Sequence, residues 1–389
     1  MKILTIGASP YLLVRNGKIN ADIINRLVFE GHDVSSAVWH HDEGYFMPSE
    51  EGVHSYEKDN KNICQLYPFS PKTDESSPFI YELMKSVQPE IVITIGDHKD
   101  TNFLYAIKAM YPNLFKWIAI YTIDCNGIPS QNKDAFEYAD YIITTNEFSL
   151  KEISSFANVE GLFIPYGPDK VFKYDKSSKR DLILCSSRNA QSSNIASFLK
   201  STSGVEFCKF IPYLHTNMYD PGDYSIDSLK EKYKSEYLQY TTDYCSIKEG
   251  ITENKMVEIY NRSAIIVDCS IKSATGLSLL EGMACGCIPV GMDYGRIGEI
   301  ISLMPEKYRF TVPYNIFVGQ NEEEFAIICP NKLRMTLLEI KNKMGALQEA
   351  SEAAINVANM FSNKSFVDKL LDIIQKVRFS KESIALDVI

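Results

Sequence analysis

The chain has 389 residues, 45% hydrophobic and 23% charged, an ordinary globular composition with material for two cores. Its 40 Lys and Arg against 50 Asp and Glu give a formal net charge of −10, which argues against a whole-molecule electrostatic grip on nucleic acid or an anionic membrane. No apolar run approaches the roughly 18 residues a spanning helix needs.

Residues 2–6 (Lys-Ile-Leu-Thr-Ile) read as a buried strand, with no basic region and long apolar stretch before them, so no signal peptide is expected. A loop over 7–17 leads into a helix in which Ala21, Ile24, Leu27 and Val28 recur at helical spacing, closed near Gly31. Further strands are expected at 34–39, 91–95, 117–122 and 141–143, with helical stretches between them. The polar run 173–180 reads as a linker, after which the rhythm restarts with strands at 182–185, 207–211, 264–267 and 287–290 and a largely helical end. This alternation predicts an α/β chain of two doubly wound, Rossmann-like parallel sheets. Such sheets bind ligands beyond the carboxyl ends of their strands, where helix N-termini offer free N–H groups and a positive dipole to phosphate. The default is an enzyme that takes a phosphate-bearing ligand between two lobes.

The cysteine count is nine, an odd number with no Cys-x-x-Cys pair, and most lie in apolar runs as reduced core thiols do. A reducing, cytoplasmic compartment is therefore expected. His40-His41-Asp42-Glu43 resembles a metal cluster in composition. Neighbours on a strand point to opposite faces and do not readily share one ion, so no metal site is expected.

The most informative segment is 270–300, S-I-K-S-A-T-G-L-S-L-L-E-G-M-A-C-G-C-I-P-V-G-M-D-Y-G-R-I-G-E-I. A strand ends near Ser270, a small-residue turn follows, a helix starts near Leu277 or Ser278, and Glu281 falls in its first turns. Cys285-Gly286-Cys287 closes the helix and Ile288-Pro289-Val290 opens the next strand. This is a strand–loop–helix phosphate site without Walker spacing and without Gly-x-Gly-x-x-Gly.

The segment resembles the nucleotide-sugar signature of the large retaining GT-B glycosyltransferase family that builds polysaccharides and glycolipids. Gly276-Leu277, Leu280-Glu281 and Met283-Ala284-Cys285-Gly286 match it, with Pro289-Val290 one residue late. Upstream, Gly250-Ile251-Thr252-Glu253, Tyr260-Asn261-Arg262-Ser263 and Ser270 follow the same family run. Ile164-Pro165-Tyr166-Gly167-Pro168-Asp169 with Phe172 is similar to the family's hinge entry, and Gly31-His32-Asp33-Val34 to its "G-H-e-V". The likeness touches most of the chain and is specific over about 250–300. It implies two Rossmann-like domains facing across a cleft: 1–172 on the acceptor side, 173–355 holding the donor, and 356–389 a helix returning to the first.

The resemblance also implies residue roles. N–H groups of Thr275, Gly276 and Leu277, with Ser278, would meet the diphosphate at the helix start, and Glu281 would accept from two ribose hydroxyls. The plain alternative for Glu281 is a solvated helix carboxylate. The family's first glutamate falls on Ser273, which leaves the donor sugar open. Its diphosphate clamp becomes Ser187-Arg188 through Ser193-Asn194, keeping Arg188 and placing Ser193 at the lysine position. The family's catalytic histidine has no obvious counterpart after the 117–122 strand, where Asp124 is the polar candidate; apart from the resemblance, His98, in the 96–100 run at the cleft-facing end of the 91–95 strand, is expected to line the acceptor site, and Arg188 completes the catalytic set.

The expected function is transfer of a sugar from a nucleotide diphosphate sugar, a UDP-sugar first, to an acceptor hydroxyl with retention and no required cofactor. The acceptor is left open among a glycan, a lipid-linked glycan, a small molecule and a hydroxymethylated base in DNA, since phage DNA α-glucosyltransferases resemble the same turn. A nucleotide-sugar epimerase and a non-catalytic sugar-binding protein are the alternatives of other classes.

Overall fold

The computed structural model describes all residues except 13, 40–52, 70–75, 125–126, 129–135, 208, 217–223, 241–250, 320–322, 343–346 and 380–389, and the backbone alone at 76, 98–100, 102 and 379. The His40–Glu43 cluster, Cys125, Cys208, Cys245 and Gly250 therefore lie outside the described residues. The chain divides into two compact units, Met1–Ile123 with Ile128–Tyr166 and Asn363–Ile389, and Asp124–Gly127 with Gly167–Ser362.

The first unit runs β1 (Lys2–Ala8), α1 (Arg15–Phe29), β2 (Asp33–Trp39), β3 (His54–Lys58), β4 (Lys61–Phe69), α2 (Ser76–Val87), β5 (Ile91–Gly96), α3 (His98–Met110), β6 (Lys116–Tyr121), β7 (Tyr141–Thr144), α4 (Glu147–Ser154) and β8 (Gly161–Phe163). Among the described residues these strands form one sheet in the order β3-β4-β2-β1-β5-β6-β7-β8, parallel except for the β3–β4 hairpin. Every residue of β5 is buried, the pattern of a strand covered on both faces. The hairpin, absent from the sequence reading, turns on Asp59 and Asn60, both at positive φ (53° and 60°), as a two-residue turn between twisted strands requires.

The second unit runs β9 (Leu182–Ser186), α5 (Ile195–Thr202), β10 (Ile211–His215), α6 (Ile226–Lys232), β11 (Gln239–Tyr240), α7 (Glu253–Arg262), β12 (Ser263–Val267), α8 (Leu277–Ala284), β13 (Ile288–Met292), α9 (Gly295–Ser302), β14 (Phe310–Val312), the β15 (Tyr314–Val318)–β16 (Glu324–Ile328) hairpin, α10 (Pro330–Asn342) and α11 (Leu347–Ala358). Its main sheet is parallel in the order β11-β10-β9-β12-β13-β14. The order reverses direction between β9 and β12, and a doubly wound sheet opens its crevice at such a reversal. The last helix, α12 (Asn363–Phe379), belongs to the first unit, where it packs along α1.

Two expectations need correction. The strand expected at 207–211 is Ile211–His215; Phe207 and Phe210 pair only with each other across a tight turn and fill the core. Pro212 hid this strand, because proline inside an interior strand argues against one. The polar run 173–180 is also no linker. Phe172 already sits in the second core, the Asp175 N–H donates to Asn261 Oδ1 at 2.7 Å, and Arg180 donates to the carbonyl of Ser263 at 2.7 Å. By contact the second unit holds Gly167–Ser362 and the short stretch Asp124–Gly127. A Cβ at Gly167 would fall 2.4 Å from the Ser362 nitrogen, so only glycine lets the two ends of Gly167–Ser362 lie together.

Candidate functional site

The site is built at the carboxyl ends of β9 and β12. After β12 the chain turns through 268–276 into α8, with Gly276 at the N-cap in a left-handed conformation (φ 61°, ψ 29°). A Cβ there would meet Ile300 Cδ1 at 2.4 Å, so the turn needs glycine for its dihedrals and for its space. Thr275 is buried, and Arg296, itself 2% exposed, lies beneath the turn. The Arg296 guanidinium pairs with Glu299 at 3.0 Å and stacks 5.1 Å from the Phe361 ring. Asp268 accepts the Ser270 N–H at 2.8 Å, and burial pushes its carboxyl up. The first turn of α8 thus presents free N–H groups and the positive end of its dipole at the strand ends.

Glu281 is not a solvated helix carboxylate. It is 6% exposed, and the fully buried Tyr260 hydroxyl donates to its Oε2 at 3.0 Å. Ser278, one turn earlier on the same face of α8, and Ser186, at the end of β9, adjoin the same phenol and draw its pKa down. Tyr260 belongs to the motif run Tyr260-Asn261-Arg262-Ser263, which by itself assigns it no role. Its signal was present in that run, but its partner lies 21 residues away and is set by the packing of α7 on α8.

Two other segments meet the turn. After β9, Arg188 is exposed, Asn189 Nδ2 donates to the Tyr224 carbonyl at 2.8 Å, and Ser193 is buried within the short 3-10 turn Gln191–Ser193. The neighbouring Ser192 carbonyl accepts from the Ile271 N–H at 2.8 Å, which stitches the Arg188 segment to the 268–276 turn. Asp124 also reaches this turn, accepting the Ser273 N–H at 3.1 Å through its backbone carbonyl. Arg188, Ser193, Ser273, Thr275–Ser278, Glu281 and Asp124 are therefore neighbours along one sheet edge. His98 opens α3 in the first unit, and its side chain lies outside the described residues.

His215, not singled out from the sequence, ends β10 opposite Ser186, and its carbonyl accepts the Ser187 N–H at 3.1 Å. Burial pushes its imidazole down to about 4, so it is neutral near pH 7. Lys272 pairs with Glu323 at 3.3 Å and lies 4.6 Å over the Phe325 ring, a position fixed by the β15–β16 hairpin. Among the described residues no group of three or more His, Cys, Asp or Glu side chains is placed to hold a metal ion, and no helix is long and apolar enough to cross a membrane.

Solved structures share this architecture along nearly the whole chain. A sucrose-phosphate synthase from Thermosynechococcus elongatus superposes with a TM-score of 0.76 at 13% identity, covering 98% of this chain and 100% of its own. The fold is GT-B. A glycosyltransferase from Rickettsia africae ESF-5 gives a TM-score of 0.69 at 15% identity, covering 97% of this chain and 98% of its own. The pneumococcal O-GlcNAc transferase GtfA, solved with UDP and GlcNAc, gives 0.65 at 10% identity, covering 97% and 99%. No protein-family model matches the sequence, and no curated protein matches it. At these identities the likeness carries the GT-B fold of two Rossmann-like units, and the site's chemistry must be argued from its own residues.

Proposed function

We propose that this chain is a glycosyltransferase that moves a sugar from a nucleotide diphosphate sugar to an acceptor hydroxyl. The observation that carries the reading is Glu281, a carboxylate buried one turn into α8, the helix that follows β12, and backed by a buried phenol. Taking a carboxylate out of water is costly unless it is hydrogen-bonded, and its place at a sheet-reversal crevice supports a ribose-binding role. Breaking the sugar's C1–O bond pushes negative charge onto the diphosphate. The N–H groups of Thr275, Gly276 and Leu277 and the Arg188 guanidinium are the groups to meet that charge, so the transfer needs no metal. Asp124 and Ser273 flank the same turn on the sugar side. The motif resemblance supports retention, and UDP is the first donor nucleotide to test because a GT-B neighbour was solved with it. Five buried free cysteines, Cys64, Cys185, Cys269, Cys285 and Cys287, support a reducing compartment such as the cytoplasm.

The test is incubation with a panel of UDP-, ADP- and GDP-sugars and hydroxyl acceptors, read by release of nucleotide diphosphate and by mass of the acceptor. Glycosylated acceptor with free diphosphate supports the proposal. An isomerised donor would make the protein an epimerase, and donor binding without turnover would make it a sugar-binding protein.

A further inference from the structure

Tyr260 is wholly buried at the end of α7, with its ring edge-on to Phe172 at 5.8 Å. Burial, and after it the Glu281 charge, push its phenol well above the ordinary value of 10, so it keeps its proton at any working pH. A phenol has one proton to give, and here it goes to Glu281 Oε2 at 3.0 Å. Ser186 and Ser278 adjoin the same phenol and draw its pKa down. One phenol therefore ties the end of β9, the first turn of α8 and the Glu281 carboxylate together. A glutamate on a helix has three rotatable bonds. A donor fixed on one of its oxygens holds the other at a set position relative to the Gly276 turn, and a satisfied buried network of this kind is rigid.

We infer that Tyr260 is a positioning residue that aims the Glu281 carboxylate and so sets the site's preference for a nucleotide with both ribose hydroxyls over a deoxyribose one. The inference rests on the glycosyltransferase reading of the site. Tyr260 has no exposed surface with which to touch the donor itself. Its effect must pass through Glu281 and fall on the ribose, leaving the diphosphate contacts alone.

The experiment is calorimetric titration of the wild type and Tyr260→Phe with UDP, 2′-deoxy-UDP, 3′-deoxy-UDP and inorganic pyrophosphate, with ADP and GDP sets run alongside. The wild type should prefer the ribose form by about tenfold or more, the value of one charged hydrogen bond. Tyr260→Phe should bring that ratio close to one with pyrophosphate binding unchanged, and adding Glu281→Gln should lower the ratio no further than Glu281→Gln alone. A Tyr260→Phe variant that keeps the wild-type ratio overturns the inference, as does a wild type that binds ribose and deoxyribose forms equally. A wild type that binds none of the nucleotides removes the glycosyltransferase reading as well. Should Tyr260→Phe fail to fold, Ser278→Ala takes its place: the ratio should fall part-way, and an unchanged ratio refutes the role.

Discussion

Two of the places where the described residues bury charge lie at opposite ends of their strands. In the first unit, Lys108 lies 2.7 Å from Asp140 and is nearly inaccessible, and Asp140 also takes Lys116 at 2.9 Å and the Trp117 N–H at 2.8 Å. Burial pushes the Asp140 carboxyl up, but these donors outweigh it and hold it below its ordinary value. This cluster sits at the amino ends of β6 and β7, where doubly wound sheets do not bind ligands. In the second unit Asp181 is likewise paired at an amino end, with Arg262 at 3.1 Å, whereas the buried Glu281 and Arg296 sit at the carboxyl edge, beside a turn that only glycine allows. Burying ions is as unfavourable at one end as at the other. What differs is the neighbourhood: the first cluster staples a sheet, and the second stands at the edge where doubly wound sheets take their ligands. A buried ion pair alone therefore says little about function, and its place on the sheet says much.

That contrast can be broken by experiment. The largest effect on stability should come from Lys108→Ala, which removes the shortest of Asp140's contacts while Lys116 and the Trp117 N–H remain, and should cost about 1.5–3 kcal/mol. Chemical denaturation should show the loss while nucleotide affinity of the folded fraction stays at the wild-type value; a matching loss of affinity would erase the distinction between staple and site. Next comes Arg188→Ala. The charge it meets grows toward the transition state, so turnover at saturating donor should fall by about 10²–10³-fold with a smaller change in binding. Arg188→Lys should recover only part of the rate, because a point charge makes no bidentate contact. Wild-type turnover in Arg188→Ala would move the clamp to another cation. Smaller again is Gly276→Ala, in which a side chain at φ 61° presses on Ile300. The strained turn should cost about 1–3 kcal/mol, read jointly in melting temperature and donor affinity. A variant that melts and binds as the wild type does would show that the turn's geometry is not needed.

Much of the second unit was legible in the chain because its signals are local. The run from Ser270 to Val290 carries its own turn glycine, helix and following strand, and α8 begins at Leu277 as its spacing predicts. The same locality explains the misses. Strand β10 carries Pro212, and propensity cannot see that the β9 register accepts it opposite Ile183. Strand β3 of the β3–β4 hairpin is mostly exposed and polar, and β4, which buries Cys64, Leu66 and Phe69, carries Pro68, so the Asp59-Asn60 turn is the hairpin's clearest mark. In the site, Glu281 and Gly276 could be named from the motif, but the burial of Glu281 depends on α7. Tyr260 reaches Glu281 from a distant stretch of chain, so that contact needed coordinates, while Asp124 could be named from the strand before it and coordinates add that its carbonyl takes the Ser273 N–H.

The account stands most directly on donor binding by Glu281→Gln. The amide keeps the size of the side chain and still accepts from Tyr260, so the fold should persist while one charged ribose contact weakens. Titration of wild type and variant with the nucleotide diphosphate the protein binds best should show affinity lower by about 10- to 150-fold, the equivalent of about 1.5–3 kcal/mol. A folded Glu281→Gln variant that titrates as the wild type does would contradict the placement of the donor at the start of α8.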